Sequence, residues 1–499
     1  MLDMDFQTLC LSFLPLILLL FLLWKKSSRV GFQLPPGPRR LPIIGNLHQL
    51  SELPHRSLHD LAKLHGPLIY LKFGSIPVMV ASSAEMVREV IKTHDLALAG
   101  RPAGMAARTL SYGCLDIFFS PSGEYWRQMR KICVQEILSV QRVQSFKSLR
   151  EMEVARMIKG IAESCLSGPV NISDVLLSLT NGVICAAALG SKYGGSEKSG
   201  SKFQGILGEA QTVIIGFSIA DFFPSLRWIH GLNGFQDKID KIFHSMDSFF
   251  EAVIKEHLDP QRLKPEHEDF VDVLLRVQKD TSHGISLTRD HMKAIIMDMF
   301  LAGTDTTFAT LTWAMTELMR NPRVMKKAQD EVRRIVGEKK KVDEEDVHQM
   351  EYLHLVLKEV LRVHPSVPLL VPRECTEQCK INGYDIPLKT RIFINLWALM
   401  RDPELWRNPD EFWPERFADS SFDFKGQNLQ YIPFGSGRRI CPGIFFATAT
   451  AEFALASLLH SFDWGLPHGM REEDIDMSEA LGLALHKKCA LHLIATPRA

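Results

Sequence analysis

Between Thr288, which can cap the free amides of a first helical turn, and Arg320, just before the stop signal Asn321-Pro322, nothing interrupts a helical reading. At ~1.5 Å per residue those ~33 residues reach roughly 50 Å, long enough to cross an entire large domain. The middle of this stretch reads Ala302-Gly303-Thr304-Asp305-Thr306-Thr307. Gly and Thr cost helix stability relative to Ala, so such a patch needs a reason. One reason is structural: Gly admits a neighbouring backbone or a flat ligand, and Thr hydroxyls bond back to a carbonyl and bend the helix. The other is functional: the helix widens against a small ligand, with Asp305 and Thr306 offering a carboxylate and an alcohol for proton delivery. The residues alone leave both open.

Around this helix the periodicity stays helical, as in Ala328 to Val336 and Tyr352 to His364, with short β-like runs at Leu68 to Phe73, Val78 to Ala81 and Ile392 to Asn395. The class expected is mainly α with a minor β part. No internal repeat is visible, and Ser191 to Ser201 reads as a polar loop between helices. The 499 residues therefore suggest one large soluble domain. Lys plus Arg number 58 and Asp plus Glu also 58, so the cationic excess that phosphate-backbone binding uses is missing and nucleic acid is not an expected partner. Nine scattered cysteines lack the density of a disulfide scaffold and indicate a reducing compartment. Cys375 and Cys379 form a close pair, but no second pair completes a zinc site.

Phe6 to Trp24 carries no charge and, as a helix, spans the ~30 Å hydrocarbon core of a bilayer. Asp3 and Asp5 precede it, Lys25, Lys26 and Arg29 follow, and no small-residue cleavage site ends it. Residues 1–24 are therefore expected to be a retained anchor with a transmembrane helix at about 6–24, and the basic flank places the rest on the cytosolic side. Residues 25–38, basic and then proline-rich through Leu34-Pro35-Pro36-Gly37-Pro38, read as a stiff hinge, leaving 39–499 as the catalytic domain.

Near the C-terminus stands Phe434-Gly435-Ser436-Gly437-Arg438-Arg439-Ile440-Cys441-Pro442-Gly443. A cysteine among glycines and arginines sits in an electropositive loop with free amides, a setting that lowers a thiol pKa and favours metal binding as thiolate. A lone thiolate cannot hold zinc, but it can be the single axial ligand of a haem. A dinucleotide loop is disfavoured because Ile440 stands at the third-glycine position.

This segment resembles, position by position, the haem-binding loop Phe-x-x-Gly-x-Arg-x-Cys-x-Gly of the cytochrome P450 superfamily. In the family's order, Ala302 to Thr307 looks like its oxygen-binding groove, EYWRQMRK with Trp126 and Arg130 like the helix that clasps the haem propionates, and Glu359 to Arg362 like its Glu-x-x-Arg. Pro414-Glu415-Arg416-Phe417 resembles the loop that completes a Glu-Arg-Arg network. Phrases such as DMFLAGTDTT and YIPFGSGRRICPG are most similar to the microsomal plant A-type clan of specialised metabolism.

The resemblance implies the P450 fold, a single haem domain behind the anchor, and haem b with Cys441 as the iron's thiolate ligand. It also implies Phe434, Gly437 and Gly443 shaping the loop, and Arg439, Trp126 and Arg130, together with Arg101 and Arg373, pairing with the propionates. Thr306 and Asp305 would manage oxygen and protons, while Glu359, Arg362 and Arg416 would be structural. The activity implied is NADPH-reductase-dependent monooxygenation: most simply, hydroxylation of an apolar molecule. A terpenoid fits best; alkaloids and phenolic or lignan molecules are the alternatives, as is a haem redox carrier or sensor without turnover. The chain has no Rossmann or flavin fingerprint of its own, so NADPH acts only through a partner, NADPH–cytochrome P450 reductase, with cytochrome b5 beside it. Arg127, Lys131 and Arg438 are candidates to steer that partner, and the setting implied is the endoplasmic reticulum membrane. Segments expected to border the substrate pocket are Leu115 to Phe119, Asp298 to Thr306, Val367 to Val371 and Ala480 to Leu485.

Overall fold

The computed structural model describes residues 31–498 apart from 195–197, 217, 232–233, 264–266 and 281–284. The expected transmembrane helix at 6–24 lies outside the described residues.

The long helix runs Arg289–Arg320, with Thr288 as its cap and Asn321 as its end. Pro322 opens the next helix, where its missing N–H costs nothing. From Met292 to Met319 the long helix is buried on nearly all sides, so its apolar residues form no single stripe. Ile172–Leu189 lies against it, and Ile444–Ser461 and Glu351–Val363 complete the helical core. Trp313 anchors that core: its ring stacks on His364 at 4.0 Å, its Nε1 donates to the Leu485 carbonyl at 3.1 Å, and His364 pairs with Glu317 at 2.7 Å.

The β part is a four-stranded sheet in the order Leu68–Phe73, Ile76–Ala81, Arg391–Ile394, Arg373–Glu374, with the middle pair parallel, Val78 facing Arg391, and both outer pairs antiparallel. It has its own apolar cluster, including Met79, Val90, Ile392 and Leu396. Two hairpins, Cys379–Ile381 with Tyr384–Ile386 and Glu479–Leu481 with Leu485–Lys487, and a three-stranded sheet at the C-terminus complete it. The mainly α, minor β expectation holds, and the long helix matches its expected ends. Ser191 to Ser201 departs from its reading as a loop, because a helix begins at Lys198.

Three described helices are long and apolar enough to cross a membrane by length and composition. Two of them, Ile172–Leu189 and Ile444–Ser461, have 78% and 61% of those residues buried inside the protein, which accounts for their apolarity. The proline-rich segment lies along the sheet: Gln33 N donates to Asp385 Oδ2 at 2.8 Å, and Tyr70 N donates to Pro36 O at 2.9 Å. A side chain at Gly37 would meet the Tyr70 carbonyl at 2.1 Å, so glycine is required for that approach.

Candidate active site

The loop 434–443 is held by backbone geometry before any ligand is considered. Cys441 N donates to Phe434 O at 2.9 Å and Phe434 packs edge-on against Phe424 at 5.4 Å. Gly435 and Gly437 sit at φ of +73° and +72°, and a side chain at Gly437 would come within 2.9 Å of Ile91 and 3.0 Å of Asp95. Only glycine combines that conformation with that closeness.

Cys441 faces the long helix across a cavity lined on one side by the loop 433–443 and on the other by Met299, Ala302, Gly303 and Thr306. Burial pushes the Cys441 thiol above its usual range, against the opposing pull of the Gly443 amide and Arg130. This differs from the sequence expectation of a lowered thiol pKa, because burial outweighs the electropositive groups of the loop.

Four arginines, Arg101, Arg130, Arg373 and Arg439, line the same cavity. Burial, followed by Arg373 and Arg130, pushes Arg439 down to about 9, and burial with the other three arginines drives Arg101 well below its ordinary value. Their hydrogen bonds go mostly to carbonyls: Arg439 to Ala99, Ile117 and Ser120, Arg101 to Val371 and Pro372, and Arg130 to Ile440. Arg373 reaches Asp95 at 2.7 Å and the Ser436 carbonyl, while Arg101 Nε is buried with no partner. Such crowding of like charge with an orphaned donor is a built anion site, and the two carboxylates of a haem would supply its missing charge. Trp126 is placed differently from the resemblance. Its indole N–H donates to Ile117 O at 3.1 Å, and its ring carries the Arg439 guanidinium at 4.0 Å. Its ring thus supports the Arg439 guanidinium at the cavity wall.

On the opposite wall, Ala302, Gly303 and Thr306 face the cavity. The helix stays α-helical through this patch, so no local widening occurs. Thr306 Oγ1 donates back to Ala302 O at 2.6 Å, and Ile184 would stand 3.0 Å from a side chain at Gly303, so the close-approach reason for the patch applies here. Asp305 points elsewhere: its Oδ2 accepts from Ala484 N at 3.1 Å and lies 3.1 Å from His486 Nε2.

Of the four segments expected at the pocket, Ile117 and Phe118, Asp298 to Thr306, and Val367, Leu370 and Val371 contribute lining residues, whereas Ala480 to Leu485 does not line the cavity. That hairpin instead buttresses the long helix from behind, through Ala484 and Leu485. Of the proposed steering cations, Arg127 is paired with Glu124, and Arg438 lies 3.4 Å from Asp95.

The Glu-Arg-Arg network is assembled. Arg362, fully buried, donates to both oxygens of Glu359 at 2.7 and 2.9 Å, and Arg416 reaches Glu359 at 3.0 Å. Cys375 Sγ donates to the Glu377 carbonyl at 3.0 Å, beside the hairpin Cys379–Ile381 with Tyr384–Ile386. The cluster His257, Asp269 and Asp272 is already bound by Arg262, which donates to both aspartates.

Sequence reasoning missed a buried acid pair. Asp298 Oδ2 accepts from Ile117 N at 2.7 Å, Asp116 Oδ2 accepts from Phe119 N at 2.9 Å, and Asp116 Oδ1 is buried without a partner. Burial raises Asp116 to about 6 and, together with the charge of Asp116, lifts Asp298 well above the carboxylate range. Both groups hold protons more tightly in the folded chain than in the unfolded one. Their stabilisation is therefore complete below the ordinary aspartate range and is lost as pH rises through about 6. Asp298→Asn keeps an acceptor for Ile117 and offers a donor to Asp116. We expect it to flatten the decline of melting temperature between ~pH 5 and ~8; a decline as steep as the parent's would rule the pair out as its source. The missed signal was Asp298 itself, a charged residue inside a helix that is otherwise buried.

The fold and this site, a half-buried cysteine opposite a helix with an arginine-lined anion cradle between them, define a haem-thiolate protein. The family model for cytochrome P450 matches residues 35–494. The chain belongs to the cytochrome P450 family. It is 50% identical over 489 residues to cytochrome P450 71AP13 of Prunus mume, covering 98% of this chain and 95% of that one. It is 50% identical over 482 residues to strychnine-11-hydroxylase of Strychnos nux-vomica, covering 96% and 94%. It is also 46% identical over 501 residues to premnaspirodiene oxygenase of Hyoscyamus muticus, covering 99% of each. Among solved structures, a zebra fish cytochrome P450 with abiraterone superposes at a TM-score of 0.76 and 25% identity, covering 90% of this chain and all of that one. The protein is a haem-thiolate monooxygenase of plant specialised metabolism whose electrons come from a partner reductase.

Proposed function

We propose that this enzyme hydroxylates an apolar, uncharged plant metabolite, a terpenoid hydrocarbon in the first instance, with Cys441 as the axial ligand of haem b. The observation that carries this reading is the charge of the cavity wall. Its substrate side is aliphatic and aromatic, through Ile117, Phe118, Ile184, Met299, Val367 and Leu370. Asp298, one of its lining residues, has its carboxyl lifted well above the usual carboxylate range by burial and by the charge of Asp116, and Asp305 is turned to His486. Among the described residues no carboxylate is thus left to pair with a cationic substrate. The similarity to premnaspirodiene oxygenase supports the terpenoid reading; the similarity to strychnine-11-hydroxylase favours a second one, an alkaloid bound in its neutral form.

When bound, haem supplies oxygen activation and C–H oxidation. The chain's own residues do the rest. Arg439, Arg130, Arg101 and Arg373 hold the propionates, with Trp126 beneath Arg439. Phe434, Gly437 and Gly443 hold Cys441 at its position. Thr306 presents its hydroxyl to the cavity, and Asp305 supplies protons beside it. Electrons arrive from NADPH–cytochrome P450 reductase, assisted by cytochrome b5, at the face that carries Arg127, Lys131 and Arg438. Residues 1–24 anchor the protein as a single pass in the endoplasmic reticulum, residues 25–38 form the hinge, and residues 39–499 work on the cytosolic side.

The deciding experiment is NADPH-dependent oxygen uptake by membranes carrying the chain and a plant reductase, with a panel of sesquiterpene hydrocarbons, neutral alkaloids and lignans. Uptake matched one to one by oxygenated terpenoid product is the expected result. Turnover confined to cationic alkaloids would overturn the substrate reading, and no uptake with any of the panel would favour a redox carrier. Arg439→Met removes one charge-assisted partner worth ~1.5–3 kcal/mol and should weaken haem retention by about 10–100-fold, read as the rate of haem transfer to an acceptor protein. An unchanged rate would remove Arg439 from the cradle.

A further inference from the structure

Asp305 is separated from the cavity that it is proposed to serve. It is buried, and its Oδ2 is shared by the Ala484 amide and His486 Nε2, both at 3.1 Å. His486 stands on the strand Leu485–Lys487, behind the long helix, and neither it nor Asp305 lines the cavity. The ring is fitted to its place. Phe308, one turn along from Asp305, packs at 5.5 Å, and a side chain at Gly482 would collide with Nε2 at 2.7 Å. The His486 side chain remains 22% exposed, and its Nδ1 has no protein partner. A buried ring nitrogen without a partner is a place for an ordered water. An imidazole with one nitrogen on a carboxylate and the other able to take such a water can carry a proton from that water to the carboxylate.

We propose that His486 is a positioning residue that supplies Asp305 with protons from solvent and acts on the cavity only through Asp305; this rests on the proton-delivery reading of Asp305. Hydronium on the solvent side first protonates His486 Nδ1, one O–H bond breaking as one N–H bond forms, and the imidazolium then gives its Nε2 proton to Asp305 Oδ2, one N–H bond breaking as one O–H bond forms. The ring is left neutral with its proton on Nδ1 and returns to the Nε2–H tautomer through water, and no electrons move. Rotation of the Asp305 side chain off Ala484 then turns the carboxyl toward Thr306.

The test needs no substrate. The full-length haem-loaded protein, with a plant reductase in phospholipid vesicles, is given NADPH alone. Hydrogen peroxide released per NADPH is compared for the parent, His486→Gln, Asp305→Asn and the double variant. Oxygen starved of protons leaves as peroxide instead of water, so His486→Gln should raise the peroxide share severalfold. The double variant should be no worse than Asp305→Asn alone, because both changes cut one route. In parallel, amide hydrogen exchange of residues 479–487 is followed without NADPH. His486→Gln, which still donates to Asp305, should leave it unchanged, whereas Asp305→Asn should speed exchange at Ala484. His486→Arg keeps a donor on Asp305 but holds its proton, and should match His486→Gln.

If Asp305→Asn raises peroxide and the His486 variants do not, the relay is overturned and the role of Asp305 stands. If Asp305→Asn has no effect, the reading of Asp305 falls and the relay falls with it. Additive effects in the double variant, or faster amide exchange in both His486 variants, would overturn the relay in favour of a separate or merely structural role.

Discussion

Arg362→Ala is expected to yield no folded haem domain. Arg362 is fully buried and makes five hydrogen bonds: two to Glu359 and one each to the carbonyls of Met400, Pro409 and Glu411. Truncation leaves the Glu359 carboxylate, itself fully buried, with Arg416 as its sole cationic partner, and strands the Met400 and Pro409 carbonyls, while Glu411 O keeps Arg416 at 3.1 Å. Breaking a buried pair from one side costs ~3–5 kcal/mol, and each stranded group adds ~1–3, against a total stability of only ~5–15 kcal/mol for a domain. The network ties the helix Glu351–Val363 to the stretch 400–416 that leads toward the cysteine loop. Haem should be lost with the fold. The measurement is yield and far-ultraviolet circular dichroism of the full chain in detergent. A folded variant with parental haem content would show that the network is dispensable.

Cys441→Ala is expected to do the opposite: the fold survives and the function is lost. The loop is held by the Cys441 amide on Phe434, by glycines at positive φ and by the Phe434–Phe424 contact, none of which uses the sulfur. The small side-chain change should cost about 1 kcal/mol or less of stability. The strongly red-shifted Soret band of the carbon monoxide adduct, which thiolate ligation produces, should be present in the parent and absent in the variant, and oxygen uptake with NADPH should vanish. A red-shifted band that persists in Cys441→Ala would place the iron on another cysteine. Parental protein with no haem at all would overturn the assignment of residues 434–443.

Much of this was legible in the chain because the signals are local. The cap at Thr288, the stop at Asn321-Pro322, the strand Leu68–Phe73 and the glycine pattern around Cys441 each specify backbone geometry within a few residues, and local sterics hold them there. The Glu359–Arg362 pair was equally legible, since a spacing of three on a helix places two side chains together.

The rest depends on what burial brings together. Asp305 and Thr306 are adjacent in sequence, yet on a helix they point about 100° apart, so one faces the cavity while the other meets Ala484, 179 residues away. Asp298 and Ile117 are 181 residues apart, and only packing makes their carboxyl-to-amide contact. The same holds for thiol and guanidinium acidity: the residues around Cys441 suggest a lowered pKa, but desolvation, which no sequence spacing encodes, outweighs them and raises it. The sequence by itself therefore determined the family, the backbone of the cysteine loop and the long helix. The tertiary structure decided which groups share protons and which charges are left facing the cavity, because dielectric and distance are properties of the packed interior.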